Sequence, residues 1–135
     1  MAKLYPSWIE IPVVDLARAL VFYRAVFGLS DTPNYNDEPL THIAVLLPSE
    51  KNVQNPGVSL VQSPKHHPCR DGTQVNFHVG DHSALAAAIG MAQAYGGTIK
   101  ESVVDMGDGV RYVILLDCEG NSIALSSYEP IETMK

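Results

Sequence analysis

Positive charge is scarce in this chain of 135 residues: 9 lysines and arginines stand against 15 aspartates and glutamates, a formal net charge of −6, with no run of like charge. Nucleic acids and anionic membrane surfaces are usually met with clustered Lys and Arg, so neither is expected as the main partner. No segment approaches the ~20 consecutive apolar residues of a membrane span, and the opening MAKLYPSW holds no apolar stretch of signal-peptide length. A cytoplasmic protein is the default expectation. Cysteine is almost absent too; Cys69 and Cys118 are expected to be free thiols, since a chain with an adequate core and no export signal has no need of a disulfide. A glycine-rich nucleotide loop and a serine-nucleophile motif are both missing.

What is present is a hydrophobic fraction of 46%, enough to bury the core of one domain and too little chain for two. The strongest local signal is IEIPVVDLARALVFYRAVFGL, residues 9–29. Ile9, Ile11 and Val13 alternate with Trp8, Glu10 and Pro12, so a strand with one aliphatic face and one mixed face is expected there. Asp15 is placed to cap a helix whose buried stripe is Leu16, Ala19, Leu20, Tyr23, Val26 and Phe27, with Gly28 as the stop. Polar residues 30–40 leave room for a short strand and a turn, and His42 to Leu47 with Gly57 to Gln62 reads as an antiparallel hairpin.

The segment SPKHHPCRDG, residues 63–72, has linker composition, and after it the plan begins again. Val75, Phe77 and Val79 alternate with Gln74, Asn76 and His78; Asp81 caps a second helix striped by Leu85, Ala88, Ile89, Ala92 and Tyr95; Gly96 and Gly97 end it. Three strands follow, at residues 98–104, 110–116 and 121–127, with DCEGN turning between the last two. The pattern of strand, helix and three strands thus occurs twice, giving one domain over 1–135 with module one at about 5–62, a linker at 63–72 and module two at about 73–128.

These motifs, EIPVVDLARALVFYRAVFG, GVSLVQ, GGTIKES and LLDCEGNSIALSS in this order, resemble the glyoxalase/bleomycin-resistance group of the vicinal oxygen chelate superfamily. They look closest to its branch of small proteins related to lactoylglutathione lyase, where DPEGN stands in place of DCEGN. The resemblance implies an α+β fold of two βαβββ modules, whose paired, curved, antiparallel-rich sheets surround a cavity with the helices outside. It also implies four metal-ligand positions, which carry over to Trp8, about Leu60, Gln74 and Ala124. Only Gln74 among these has a donor for a divalent ion, so no metal and no other cofactor is expected, and activities that use the metal as a Lewis acid are put in doubt.

The expected partner is therefore a small organic molecule, met by a ligand-binding set of Trp8, Glu10, Leu60, Gln74, Asn76, His78 and Ala124, in a homodimer. Glu10 is the leading candidate, either as a general base or as an anchor for a cationic ligand, because a partly desolvated carboxylate can do both. His78 is the second catalytic candidate, as a proton carrier near neutral pH. Against these stand structural ties for Glu10, plain core for Trp8 and an exposed strand end for His78. His66, His67 and Cys69 read as solvated linker. Two other functions stay open: a metal-dependent lyase or isomerase with ligands relocated to Glu10, His78 and His42, and an interaction module with a closed, vestigial cavity.

Overall fold

The computed structural model describes residue 4 and residues 6–48 and 56–131. The leading strand β1, Trp8–Pro12, turns Ile9 and Ile11 toward the helices and leaves Trp8 and Glu10 exposed, as the alternation predicts. Asp15 accepts a hydrogen bond from the Arg18 amide and starts α1, Leu16–Phe27; Gly28 closes it in the left-handed conformation, φ 65°, that a side chain would resist. The remaining strands of module one are β2, Asn34–Glu38, β3, Thr41–Leu47, and β4, Gly57–Gln62. They form a sheet in the order β1-β4-β3-β2, parallel only between β1 and β4.

Module two repeats this. β5, Val75–Gly80, leads into α2, His82–Ala94, capped by Asp81, whose carboxylate accepts the Ala84 amide at 2.8 Å. β6, Thr98–Asp105, β7, Val110–Leu116, and β8, Ser122–Tyr128, complete a sheet of order β5-β8-β7-β6, parallel only between β5 and β8. The chain is thus an α+β fold of two βαβββ units.

The helices pack against each other, and one buried cluster runs through both modules, joining Ile11, Phe22 and Leu60 to Leu85, Val113 and Leu125. Two side chains depart from the helical stripes expected from spacing. Tyr95, expected buried, is 45% exposed, because α2 ends at Ala94 and the chain turns away. Phe22, outside the expected stripe, is fully buried: it faces module two, where a Cβ on Gly97 would sit 2.9 Å from its ring. An amphipathic stripe records one packing surface, whereas α1 has two, the sheet below and the second module beside it.

Polar contacts make the same junction. Asp117, 3% exposed, accepts from the Tyr23 hydroxyl at 2.6 Å, from the Glu119 and Asn121 amides and from the Asn121 side chain, which also donates to the Pro12 carbonyl. The Glu119 carboxylate accepts the Val14 and Asp15 amides and pairs with Arg18 at 2.8 Å. The DCEGN turn of module two is therefore bonded to the strand-to-helix corner of module one, which fixes how the two sheets lie beside each other. On the side opposite the helices Trp8 and Glu10 of β1 and Asn76 and His78 of β5 are exposed, while the central strand β4 is buried from Gly57 to Val61.

Candidate functional site

Cross-strand register defines the open face. Trp8 donates its indole N–H to the Ser59 hydroxyl at 3.1 Å, which places both on one side of the sheet, while Leu60 pairs with Ile11 and lies fully buried in the helix-covered core. The equivalent pair in module two is Gln74, whose side-chain oxygen accepts from Ser122 at 2.8 Å; Asn76 pairs with Ala124 as Glu10 pairs with Ser59. The β4 residue equivalent to Ala124 is thus Ser59. The expected Leu60 is one residue out, and with a side-chain period of two that places it on the wrong face. The alternation of Val58 and Leu60 with Gly57 and Ser59 carried the signal that would have found it.

The other candidates divide as follows. Trp8 and Glu10 are exposed on the open face of the first sheet, and Gln74, Asn76 and His78 on that of the second, where Ala124 is buried beneath them. His78 also borders a cleft of about 430 Å³ between the end of α1 and the start of α2. His42 is elsewhere: it pairs in register with Gln62, whose side chain accepts the Leu16 amide on the helix side, and it bonds Asn36 at 2.7 Å. His42 therefore lies on the helix side, apart from the exposed faces that carry Glu10 and His78, and the relocated metal set is not assembled. Among the described residues no three His, Cys, Asp or Glu side chains are grouped to hold a metal ion.

The segment between β4 and β5 is closer to the site than its linker composition suggests. It brings His66 Nε2 to 3.8 Å from the Glu10 carboxylate, and Cys69 and Thr73 line a cleft of about 190 Å³ together with Glu10, Val75 and Ser122. Ser63 Oγ, the first side chain after β4, is 2.6 Å from His66 Nδ1 and accepts the Lys65 amide. The Glu10 carboxylate is 47% exposed and makes no closer contact with a cation among the described residues. Of the two free thiols, Cys118 lies in the DCEGN turn, where burial first and then the Asp117 and Glu119 carboxylates push it up to about 11, so it is protonated and unreactive at neutral pH.

Two open-faced sheets, each formed by a strand, a helix and three strands and set side by side beneath paired helices, define a protein of the duplicated βαβββ class. The sequence matches the model of the Glyoxalase/Bleomycin resistance protein/Dioxygenase superfamily over residues 6–125, and the chain belongs to that superfamily. Solved structures agree on the fold. A glyoxalase/bleomycin resistance protein/dioxygenase family enzyme from Burkholderia phytofirmans is 16% identical over 93% of this chain and 100% of its own, with a TM-score of 0.66. The corresponding values for a glyoxalase family protein from Bacillus cereus are 17%, 95%, 96% and 0.68. For a variant of the fosfomycin resistance protein from Listeria monocytogenes, in complex with Mn(II) and a dihydroxypropylphosphonic acid, they are 13%, 96%, 94% and 0.66. No curated protein matches the sequence.

The metal-ligand positions that the resemblance implies test the donor set here. The four corresponding positions carry Trp8, Ser59, Gln74 and Ala124, an indole, a hydroxyl, an amide and a methyl group, and the first three are hydrogen-bonded within their own sheets. A divalent ion needs several oxygen or nitrogen donors in sound geometry, and this set does not supply them.

Proposed function

We propose that this protein binds a small organic molecule on the open faces of its sheets without a metal, with Glu10 as the charged anchor and Trp8 as an apolar wall. The observation that supports this reading is that polar groups at the implied ligand positions are already hydrogen-bonded within their sheets, Trp8 to Ser59 and Gln74 to Ser122, beside a Glu10 carboxylate whose nearest basic side chain among the described residues, His66, is 3.8 Å away. A carboxylate next to an exposed indole favours a ligand with a positive charge on a flat apolar body, since both the charge and the ring face attract it. Asn76 and His78 supply hydrogen-bonding groups on the adjacent sheet, and Ser59, itself fully buried on the same side as Trp8, holds the indole in place. If a reaction follows, Glu10 is its general base.

A homodimer fits the same reading. Among the described residues Trp8, Glu10, Asn76 and His78 are left exposed, β6 is exposed along its whole length, and Ile99, Val103, Val104, Met106 and Tyr128 present apolar surface there or at its rim. A second copy would cover them and enclose the site. Relation to lactoylglutathione lyase within the superfamily is part of the proposal, carried by the GGTIKES and DCEGN segments.

Identification of small molecules that co-purify with the protein, repeated on Glu10→Gln, tests the proposal. Loss of the ligand from the variant, with unfolding stability within about 0.5 kcal/mol of the parent, is expected for an exposed anchoring charge. Undiminished ligand with a lowered unfolding midpoint would make Glu10 a structural tie instead, and a stoichiometric divalent metal lost on changing Gln74 would overturn the metal-free reading.

A further inference from the structure

Glu10 is met from the other side by a histidine that sequence composition assigns to solvent. His66 sits between two groups: its Nδ1 is 2.6 Å from Ser63 Oγ, and its Nε2 is 3.8 Å from Glu10 Oε1. An ionised carboxylate only accepts hydrogen bonds, so the imidazole nitrogen facing it is favoured when it carries a proton. A neutral ring then has a bare Nδ1, which must accept. The Ser63 hydroxyl can donate to it while its own oxygen takes the Lys65 amide at 3.1 Å, so every group in the chain Lys65 amide, Ser63, His66, Glu10 is used in one direction. The opposite tautomer would leave the serine proton unplaced and set an imidazole lone pair against a negative charge.

We infer that His66, held by Ser63 with its proton on Nε2, is a positioning residue for the Glu10 carboxylate. The inference deepens the proposed function and rests on it for its consequence, since what His66 orients is the ligand anchor. The 3.8 Å separation is longer than a direct hydrogen bond, and a small rotation of either side chain would close it. The segment between β4 and β5 is then a wall of the site, with His66, Cys69 and Thr73 all drawn to β1 around Glu10. Two turns of local chemistry hold it there: the Ser63 turn, in which the His66 amide donates to the Ser63 carbonyl at 3.2 Å, and the Cys69 amide bonded to Asn121 at 3.0 Å. Glu10 is thereby aimed by residues more than fifty positions away, in the segment that links the modules.

The long-range ¹H–¹⁵N spectrum of the histidine rings in the intact protein at neutral pH tests this, with the His66 signal assigned by its loss in His66→Gln. The expected result is an Nε2–H tautomer in the parent and a mixed tautomer in both Ser63→Ala and Glu10→Gln. An Nδ1–H or mixed tautomer in the parent, or no response to either substitution, overturns the inference. Calorimetric titration with benzylamine gives the functional arm: His66→Leu should weaken binding about two- to fivefold, and His66→Gln, whose amide N–H reaches the place of Nε2–H, should restore most of it. Benzylamine affinity that Glu10→Gln removes but His66→Leu leaves intact also overturns the inference. If Glu10→Gln leaves affinity unchanged, the proposed function fails while the tautomer result still stands on its own; if benzylamine does not bind the parent, the spectra alone decide.

Discussion

Tyr23 and Cys118 show how far single residues depend on the junction between modules. Tyr23 is a member of the α1 stripe by spacing, yet its hydroxyl ends on Asp117, ninety-four positions away, at 2.6 Å. Burial, followed by the charge of Asp117, holds the Tyr23 phenol well above its ordinary range, and burial holds Cys118 at about 11 against an ordinary 9.0. Both are acids whose folded pKa is raised, so the native state keeps protons that the unfolded chain releases. Stability is therefore full below about pH 9 and declines as pH rises toward 11. A urea-unfolding series across that window should show the decline, and a flat profile would contradict it. At neutral pH, Tyr23→Phe should cost about 1–3 kcal/mol, because it removes one donor from a buried carboxylate and replaces it with nothing.

At the scale of elements, the helix and strand limits follow local chemistry closely, whereas their faces follow the partner. Asp15 and Asp81 cap the two helices at the positions that their spacing from the apolar stripes predicts. β1 and β5 then show the expected alternation, with Ile9, Ile11, Val75 and Phe77 under the helices. Leu60 belongs to β4, whose nearly continuous apolar run blurs the two-residue alternation, and its side chain lies in the helix-covered core. β4 is buried along Gly57 to Val61 on both faces, so burial alone does not distinguish its sides; the Trp8 to Ser59 bond does. Gly97 belongs to this scale as well: it follows α2 and leaves the room that Phe22 of α1 fills. Gly97→Ala should overpack this contact and destabilise the protein by about 1–3 kcal/mol, read as a lower unfolding midpoint with an unchanged denaturant slope.

For the whole molecule the open face decides most. A closed vestigial interior is disfavoured by a surface on which Trp8, Glu10, Gln74, Asn76 and His78 are all exposed. The same surface, apolar at its rim, is expected to be covered by a second copy: small-angle scattering at micromolar concentration should return twice the chain mass, and a monomer there would leave the site open to solvent and count against the enclosed form of the proposal. Among the described residues no helix is long and apolar enough to cross a membrane.

The sequence by itself determined the two βαβββ units, their caps and the parity of β1 and β5, because each of these is a local matter of periodicity and side-chain chemistry. Only the tertiary structure decided the rest. Phe22 became core, Tyr95 became surface, Ser59 displaced Leu60, and His42 parted from Glu10, since all four depend on which surface a second element covers. His66 and Ser63 came to Glu10 for the same kind of reason: linker composition reports a preference for turns and solvent, but the path of a turn is set by where its ends are held, and here β4, β5 and Asn121 hold them against β1.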